Sequence, residues 1–264
     1  MDMPLQKSLP FAPFEDARTR RLPGTLPLDP SDWLRVDDAY AGQMALRDRL
    51  VGTRAGEVIA ALPGSEAAVA EMYGKILREE LPRLGFRRDG ETVIRPDGVS
   101  VALDPGAPLR TLARLVQEDL CLMQPGDMGE HVLTAATLCF PAGWTLAEKI
   151  GRPLMRIHAP VAKYSEDVGK RVQRLFDAIR PETPMWRANA HRSRAPLFNP
   201  LPEDFPKDMA EVEMPWIRSE RQCLLRLPES GAVVFSIHTY VVAVSDLTAD
   251  QSAALSEHPI HRSP

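Results

Sequence analysis

Six histidines are available for chemistry, and four of them (His131, His158, His191 and His238) fall in segments patterned for order. His158 stands in Arg156-Ile157-His158-Ala159-Pro160-Val161, just after the apolar Pro153-Leu154-Met155. Pro160 pushes Ala159 toward extended backbone, so the imidazole is carried on a stiff, apolar piece of chain. A neutral imidazole held at a fixed angle is what an axial haem ligand requires. The same surroundings also suit a hydrogen-bonded structural histidine, and both readings stand on pattern alone.

Two further clusters carry polar groups among apolar neighbours. In Met185-Trp186-Arg187-Ala188-Asn189, Trp186 offers a flat apolar wall. Arg187 offers a fork that could pair with a carboxylate such as a haem propionate. The alternative is an ordinary surface arginine. In Arg218-Ser219-Glu220-Arg221-Gln222, strand alternation puts Arg218, Glu220 and Gln222 on one face and Ser219, Arg221 and Cys223 on the other. If the Arg218 face points inward, a buried Arg218–Glu220 pair lines a cavity, because buried charge is costly unless a site requires it. If it points outward, it is a solvated strand face. His238 and Tyr240 share a face on the next strand and could join this cluster.

The elements that must hold these residues follow from periodicity. Residues 1–32 are proline-rich and read as an irregular lead-in, with Phe11 and Phe14 able to strap it to the body. Trp33 to Arg54 is partly helical, with Arg47, Asp48 and Arg49 facing water. Ser65 is a helix N-cap, and Val69, Met72, Tyr73, Ile76 and Leu77 mark the apolar stripe of a helix closed by Gly85. Residues 92–103 read as a short hairpin. Leu109 to Leu120 reads as a helix, and 131–140 as a buried strand. Val168 to Ile179 is a clear helix stopped by Pro181. Trp216–Leu227 and Ala232–Val244 make a long hairpin around Pro228-Glu229-Ser230-Gly231. The last residues, 245–264, read as a frayed tail. Mixed order without βαβ alternation predicts an α+β fold, an antiparallel sheet with helices packed around it, as one domain over 33–244.

Composition narrows the function classes. The apolar fraction is 44% and the charged fraction 26%, and the net charge of -4 gives no electrostatic reason to hold nucleic acid. Cys121, Cys139 and Cys223 are far apart and form no CxxC pair, so zinc, iron–sulfur and covalent haem attachment are not expected. No signal peptide and no membrane span are expected, and cysteine usage suits a cytoplasmic protein. Glycine-rich nucleotide loops, P-loops, H-E-x-x-H and G-x-S-x-G are missing, so NADPH is not expected to bind this chain itself.

The blocks Gln117-Glu118-Asp119-Leu120, Cys139-Phe140-Pro141-Ala142-Gly143-Trp144, Glu148-Lys149-Ile150-Gly151-Arg152-Pro153-Leu154, Ile157-His158-Ala159-Pro160-Val161, Trp186-Arg187-Ala188-Asn189, Arg218-Ser219-Glu220-Arg221-Gln222 and Phe235-Ser236-Ile237-His238-Thr239-Tyr240 occur in this order. Together they resemble the heme-dependent oxidative N-demethylase family, specifically its haem-binding alpha subunit. The resemblance implies a PAS-like sheet holding a b-type haem. It implies demethylation of dimethylamine or a similar secondary amine, with O2 consumed and formaldehyde released. Electrons would come from NADPH through separate reductase subunits carrying FMN and an iron–sulfur centre.

By this similarity His158 is the iron ligand, while Arg187, Trp186 and Asn189 contact the cofactor and Arg218 and Glu220 shape the distal pocket. Glu220 would take the proton of the amine. The resemblance also implies a tryptophan soon after the Asn of the R-x-N block. This chain reads Ala190-His191-Arg192 there, which makes His191 a second ligand candidate. A haem-based PAS-like sensor without turnover is the alternative reading.

Overall fold

The computed structural model describes residues 4–20, 23–127, 129–159, 166–205 and 213–261. Its centre is a seven-stranded antiparallel sheet in the order β1-β8-β9-β10-β6-β7-β2. The strands are β1 (Leu26–Pro27), β2 (Ile59–Ala61), β6 (Asp119–Pro125), β7 (His131–Thr137), β8 (Met185–Ser193), β9 (Trp216–Arg226) and β10 (Val233–Ala243). A small second sheet joins β3 (Arg87–Asp89), β4 (Thr92–Ile94) and β5 (Ser100–Ala102). The expected α+β class is therefore what forms. The long hairpin is β9–β10, and Gly231 at φ +69° supplies the left-handed turn residue.

Helices cover both faces of the large sheet. On one side lie α1 (Tyr40–Thr53), α3 (Glu66–Lys75) and α4 (Pro108–Ala113). Their Met44, Met72, Leu109 and Leu112 pack with Leu120, Leu122, Cys223, Leu225 and Val234 of the strands. On the other lie α5 (Leu146–Lys149), α6 (Leu154–His158) and α7 (Glu166–Ala178). Leu146, Leu154 and Phe176 meet Cys121, Met123, Leu133, Leu224 and Val233 there. The short α2 (Ala55–Val58) leads into β2. Among the described residues no helix is long and apolar enough to cross a membrane.

Several expectations change. The helix read over 109–120 stops at Ala113, and Asp119–Pro125 is strand β6. An interior strand buried on both faces loses its alternation, so it cannot be told from a helix by period alone. Arg47 does not face water. The buried positions of α1 are 40, 43, 44, 47, 50 and 51, and position 47 lies on that stripe. Its guanidinium pairs with Asp119 at 2.7 Å and donates to the carbonyls of Ala113 and Glu118 at 2.9 Å each. Ser65 precedes α3 but caps nothing, because its hydroxyl donates to Leu62 O at 2.7 Å. After α3 the chain continues through a π-turn, Ile76–Glu80, before Gly85 ends the segment at φ +81°.

Among the described residues the segments near both ends pack on the sheet. The tail expected to fray contains α8 (Ala249–Glu257), closed by a Thr248/Gln251 capping box. Leu255 packs with Leu9, Ala12, Phe14, Ile217, Tyr240 and Val242 in a third core cluster. Gln6 acts as a substitute strand. β6 pairs with β10 only from Val233 to Ile237. Beyond that, Gln6 N donates to Val241 O at 2.9 Å and its side-chain oxygen accepts from Val241 N at 2.7 Å.

Candidate functional site

Strand register assembles the site. Across β8 and β9 the partners are Arg187↔Gln222, Asn189↔Glu220 and His191↔Arg218. Across β9 and β10 they are Gln222↔Ile237, Glu220↔Thr239 and Arg218↔Val241. These residues lie on the same sheet face as Met185, Leu224 and Phe235, which pack under α6 and α7. That face is thus apolar at one end and polar in its middle. Arg218 is 2% exposed and Glu220 8%, so the inward orientation of the Arg218 face is what forms.

A directed chain of hydrogen bonds crosses this face. Arg187 donates through Nε to Pro23 O at 2.9 Å and through Nη1 to Gln222 Oε1. Gln222 Nε2 donates to Glu220 Oε2 at 3.0 Å. Asn189 Nδ2 approaches the same oxygen at 3.4 Å. Arg218 lies 3.4 Å from Glu220 Oε1 and donates to the carbonyls of Phe140 and Leu197. Burial pushes the pKa of both Arg187 and Arg218 down, and the charge of Glu220 partly restores it.

Where β8–β10 form this face, three buried polar atoms have no partner: Asn189 Oδ1, Arg218 Nε and Thr239 Oγ1. Buried polar groups are nearly always satisfied. Here three exceptions stand on the neighbouring strands β8, β9 and β10.

His158 is the last residue of α6 and is half-buried. Its Nδ1 lies 2.9 Å from Leu154 O, one turn back. A carbonyl only accepts, so Nδ1 carries the proton and Nε2 carries the lone pair. Burial lowers its pKa, and the charges of Arg187 and Lys149 lower it further against the support of the Leu154 carbonyl. The ring is therefore neutral at pH 7, and the field of Arg187 on β8 reaches it. Lys149 itself is anchored by Glu203 at 2.6 Å and by Ile157 O at 2.9 Å. Pro160 and Val161 of the sequence motif lie outside the described residues.

His191 sits on the same face beside Arg218, 5% exposed, with its ring 5.4 Å from that of His261. Burial, Arg218 and His261 lower its pKa to about 3, so it too is neutral.

Other expected members go elsewhere. Trp186, one residue from Arg187, necessarily faces the opposite side, where Phe11 meets its ring edge-on at 5.4 Å and Arg221 stacks at 5.6 Å. His238 and Tyr240 also occupy that opposite side. His238 binds Glu118 Oε1 at 2.8 Å through Nδ1 and Asp37 Oδ2 at 3.0 Å through Nε2. Burial opposes its charge, but Tyr240, Glu118 and Asp37 prevail and raise its pKa to about 10.

Sequence reading missed Thr239, whose side chain completes the row Asn189–Glu220–Thr239. Its position one residue from His238 and alternating with it was the available signal. It also missed the support beneath Arg218. Asp119 receives Arg47 and the backbone N–H groups of Cys139 (2.6 Å) and Phe140 (2.9 Å), which fixes the carbonyl that Arg218 grips.

A family model described as haem-dependent oxidative N-demethylase, alpha subunit-like, matches residues 24–260, a span that contains the whole seven-stranded sheet, α6 and the polar row beneath it. The chain belongs to the haem-dependent oxidative N-demethylase, alpha subunit-like family.

Proposed function

We propose that this protein holds a b-type haem between α6 and the polar face of β8–β10 and takes part in oxidative N-demethylation of a small secondary amine of the dimethylamine kind. O2 would be consumed and formaldehyde released. A separate reductase using NADPH, FMN and an iron–sulfur centre would deliver electrons. The observation that carries this reading is the neutral His158 imidazole, with its proton fixed on Nδ1 toward Leu154 O, placed within the field of Arg187 on a sheet face where β8–β10 leave three buried polar atoms unpartnered.

The residues fit the group. An iron ligand must present a neutral nitrogen whose partner nitrogen is held by an outer hydrogen bond. His158 has the outer hydrogen bond of such a ligand, from Nδ1 to Leu154 O, and His191 on the same face is a second neutral imidazole. Arg187 keeps guanidinium hydrogens beyond those it gives to Pro23 and Gln222, enough to receive a propionate. Bound haem would supply O2 reduction and oxidation of the N-methyl carbon, chemistry that side chains lack.

The chain's own share is positioning and proton control. Arg218 fixes the Phe140 and Leu197 carbonyls around the site. Gln222 and Asn189 orient Glu220 with their amide hydrogens. Glu220 would accept the proton of the amine, since a protonated nitrogen is a poor site for oxidation. Leu224, Phe235 and the apolar residues of α6 and α7 exclude water from one end.

Absorption spectra of the haem-reconstituted protein test the assignment. Wild type should show a Soret band of ligated haem, and His158→Ala should lose or shift it while keeping its far-UV dichroism. An unaltered band in His158→Ala would move the ligand elsewhere, with His191→Ala the next variant. NADPH-coupled formaldehyde release with added reductase tests turnover.

A further inference from the structure

The Nδ1 of His158 bonds back to Leu154 O, so the imidazole is fixed relative to α6. Its direction relative to the sheet then depends on how α6 is held as a body. At five residues this helix is too short to persist unaided. Its first end is held by β7 and the core. Pro153 bridges Val132, Arg152 O accepts from Leu133 N at 3.2 Å, and Leu154 is buried. The end that carries His158 is held by side chains from other segments.

Glu203, on the connection from β8 to β9, is the hub of that hold. Its carboxylate takes both terminal nitrogens of Arg156, at 3.1 Å and 3.0 Å, in the forked geometry that gives such pairs direction. The same carboxylate takes Lys149 Nζ at 2.6 Å, and that ammonium also donates to Ile157 O at 2.9 Å. Glu203 N donates to Glu148 Oε1 at 3.0 Å, which keys the connection onto α5. The two residues before His158 are thus gripped through one carboxylate, Arg156 by its side chain and Ile157 by its carbonyl through Lys149. The arms are unequal. Arg156 is 47% exposed, and exposed pairs contribute little. The side chain of Lys149 is 5% exposed, so a charge that is costly to bury is satisfied there by Glu203 and Ile157. The same connection offers Leu197 O to Arg218 at 3.2 Å, so it is tied both to the polar sheet face and to the helix that covers it.

We infer that Glu203 is a positioning residue for His158: through Lys149 and Arg156 it fixes the helix that carries the ligand imidazole. The inference rests on the haem reading above and adds to it a residue that touches neither the imidazole nor the polar row.

Two measurements test it, one of them without haem. In the haem-free full chain, amide hydrogen exchange over residues 154–159 should quicken about tenfold in Glu203→Leu, as local opening of α6 becomes easier. In the haem-reconstituted chain, loss of haem to excess apomyoglobin, followed at the Soret band, should quicken about tenfold in the same variant, the lower end of what removing the support of a metal ligand costs. Lys149→Met should act in the same direction. Glu203→Gln keeps an oxygen for Lys149 and should restore most of the wild-type rate. Glu79→Leu removes a comparable ion pair, with Lys75, on the π-turn after α3, and should change neither measurement.

Unchanged exchange in Glu203→Leu would overturn the inference, because α6 would then be held without the clasp. Faster exchange with unchanged haem loss would overturn it too, and would leave Glu203 a structural residue of the α5–α6 corner. So would equal acceleration by Glu79→Leu, which would reduce the effect to general destabilisation. Absence of a Soret band in wild type sinks the haem reading instead, and the exchange measurement then judges the clasp by itself.

Discussion

The two faces of β8–β10 use the same kinds of residue to opposite ends. Facing α1, His238 is clamped at 2.8 and 3.0 Å between two carboxylates, Tyr240 lies against its ring, and Arg35 joins Tyr240 to Asp32. Nearly every polar atom there has a partner, Glu118 Oε2 being one that lacks it. Facing α6 and α7, the imidazoles of His158 and His191 are neutral, and Asn189, Arg218 and Thr239 each keep a vacant atom. A charged histidine between carboxylates is a fastener. A neutral one with its Nδ1 proton tied to its own helix is the kind of group that the haem proposal calls for. One strand, β10, presents both kinds of surface, since His238 and Thr239 are adjacent and point to opposite sides.

The largest effect should come from removing the fastener. His238→Leu leaves Asp37 and Glu118 without their shared cation inside the protein. Breaking a buried pair in this way costs about 3–5 kcal/mol, readable as a lower midpoint in urea. The wild-type protein should also show the linkage in its pH dependence. The pKa of His238 is raised from 6.5 to about 10, so its contribution is full below about 6.5 and is lost as pH rises through 10. Burial pushes Asp37 up, but His238, Gln117 and Gln6 lower it to about 2. Its contribution is therefore present above 3.8 and is lost as pH falls through 2. Urea melts at several pH values check both limbs, and His238→Leu should flatten the alkaline one. A flat wild-type curve between pH 7 and 10 would mean that the clamp holds a neutral ring.

On the other face the expected loss is of activity before stability. Glu220→Gln should lower demethylation about 100-fold, within the range for removal of a proton acceptor, and should move the pH profile of turnover. Arg218 keeps the carbonyls of Phe140 and Leu197, so the stability loss should stay near 1–3 kcal/mol. Unchanged turnover with an unchanged pH profile would remove Glu220 from proton transfer and leave it a structural partner of Arg218.

How much of this was legible depended on period and on face. The β9–β10 hairpin was readable because a Gly-containing turn separates two long runs, and α7 because its apolar residues repeat every three to four positions. The polar row was readable in part, since Arg218, Glu220 and Gln222 alternate. Which side faced a helix was not readable, because that depends on α6 and α7 packing over strands distant in sequence. The same ignorance placed Arg47 in water and His238 near the site. Helix α8 was hidden because its capping box, Thr248 with Gln251, precedes only a short stretch whose burial depends on the distant Leu9 and Phe14.

The smallest predicted effect separates the faces most directly. Trp186 and Arg187 are neighbours in sequence, and the family motif suggests both for the cofactor. The pleat sends them apart: Arg187 to the face under α6, Trp186 to Phe11 and Arg221 on the other. Trp186→Leu should therefore leave the Soret band and the dimethylamine affinity unchanged. It should cost about 1 kcal/mol through lost ring contacts with Phe11 and Arg221. Arg187→Leu should do the reverse, weakening haem retention, because it removes the only guanidinium of this pair that reaches the His158 side. If Trp186→Leu instead shifted the haem spectrum as strongly as Arg187→Leu, strand alternation would no longer separate fastener from site, and both faces of β8 would have to be counted as part of one cofactor environment.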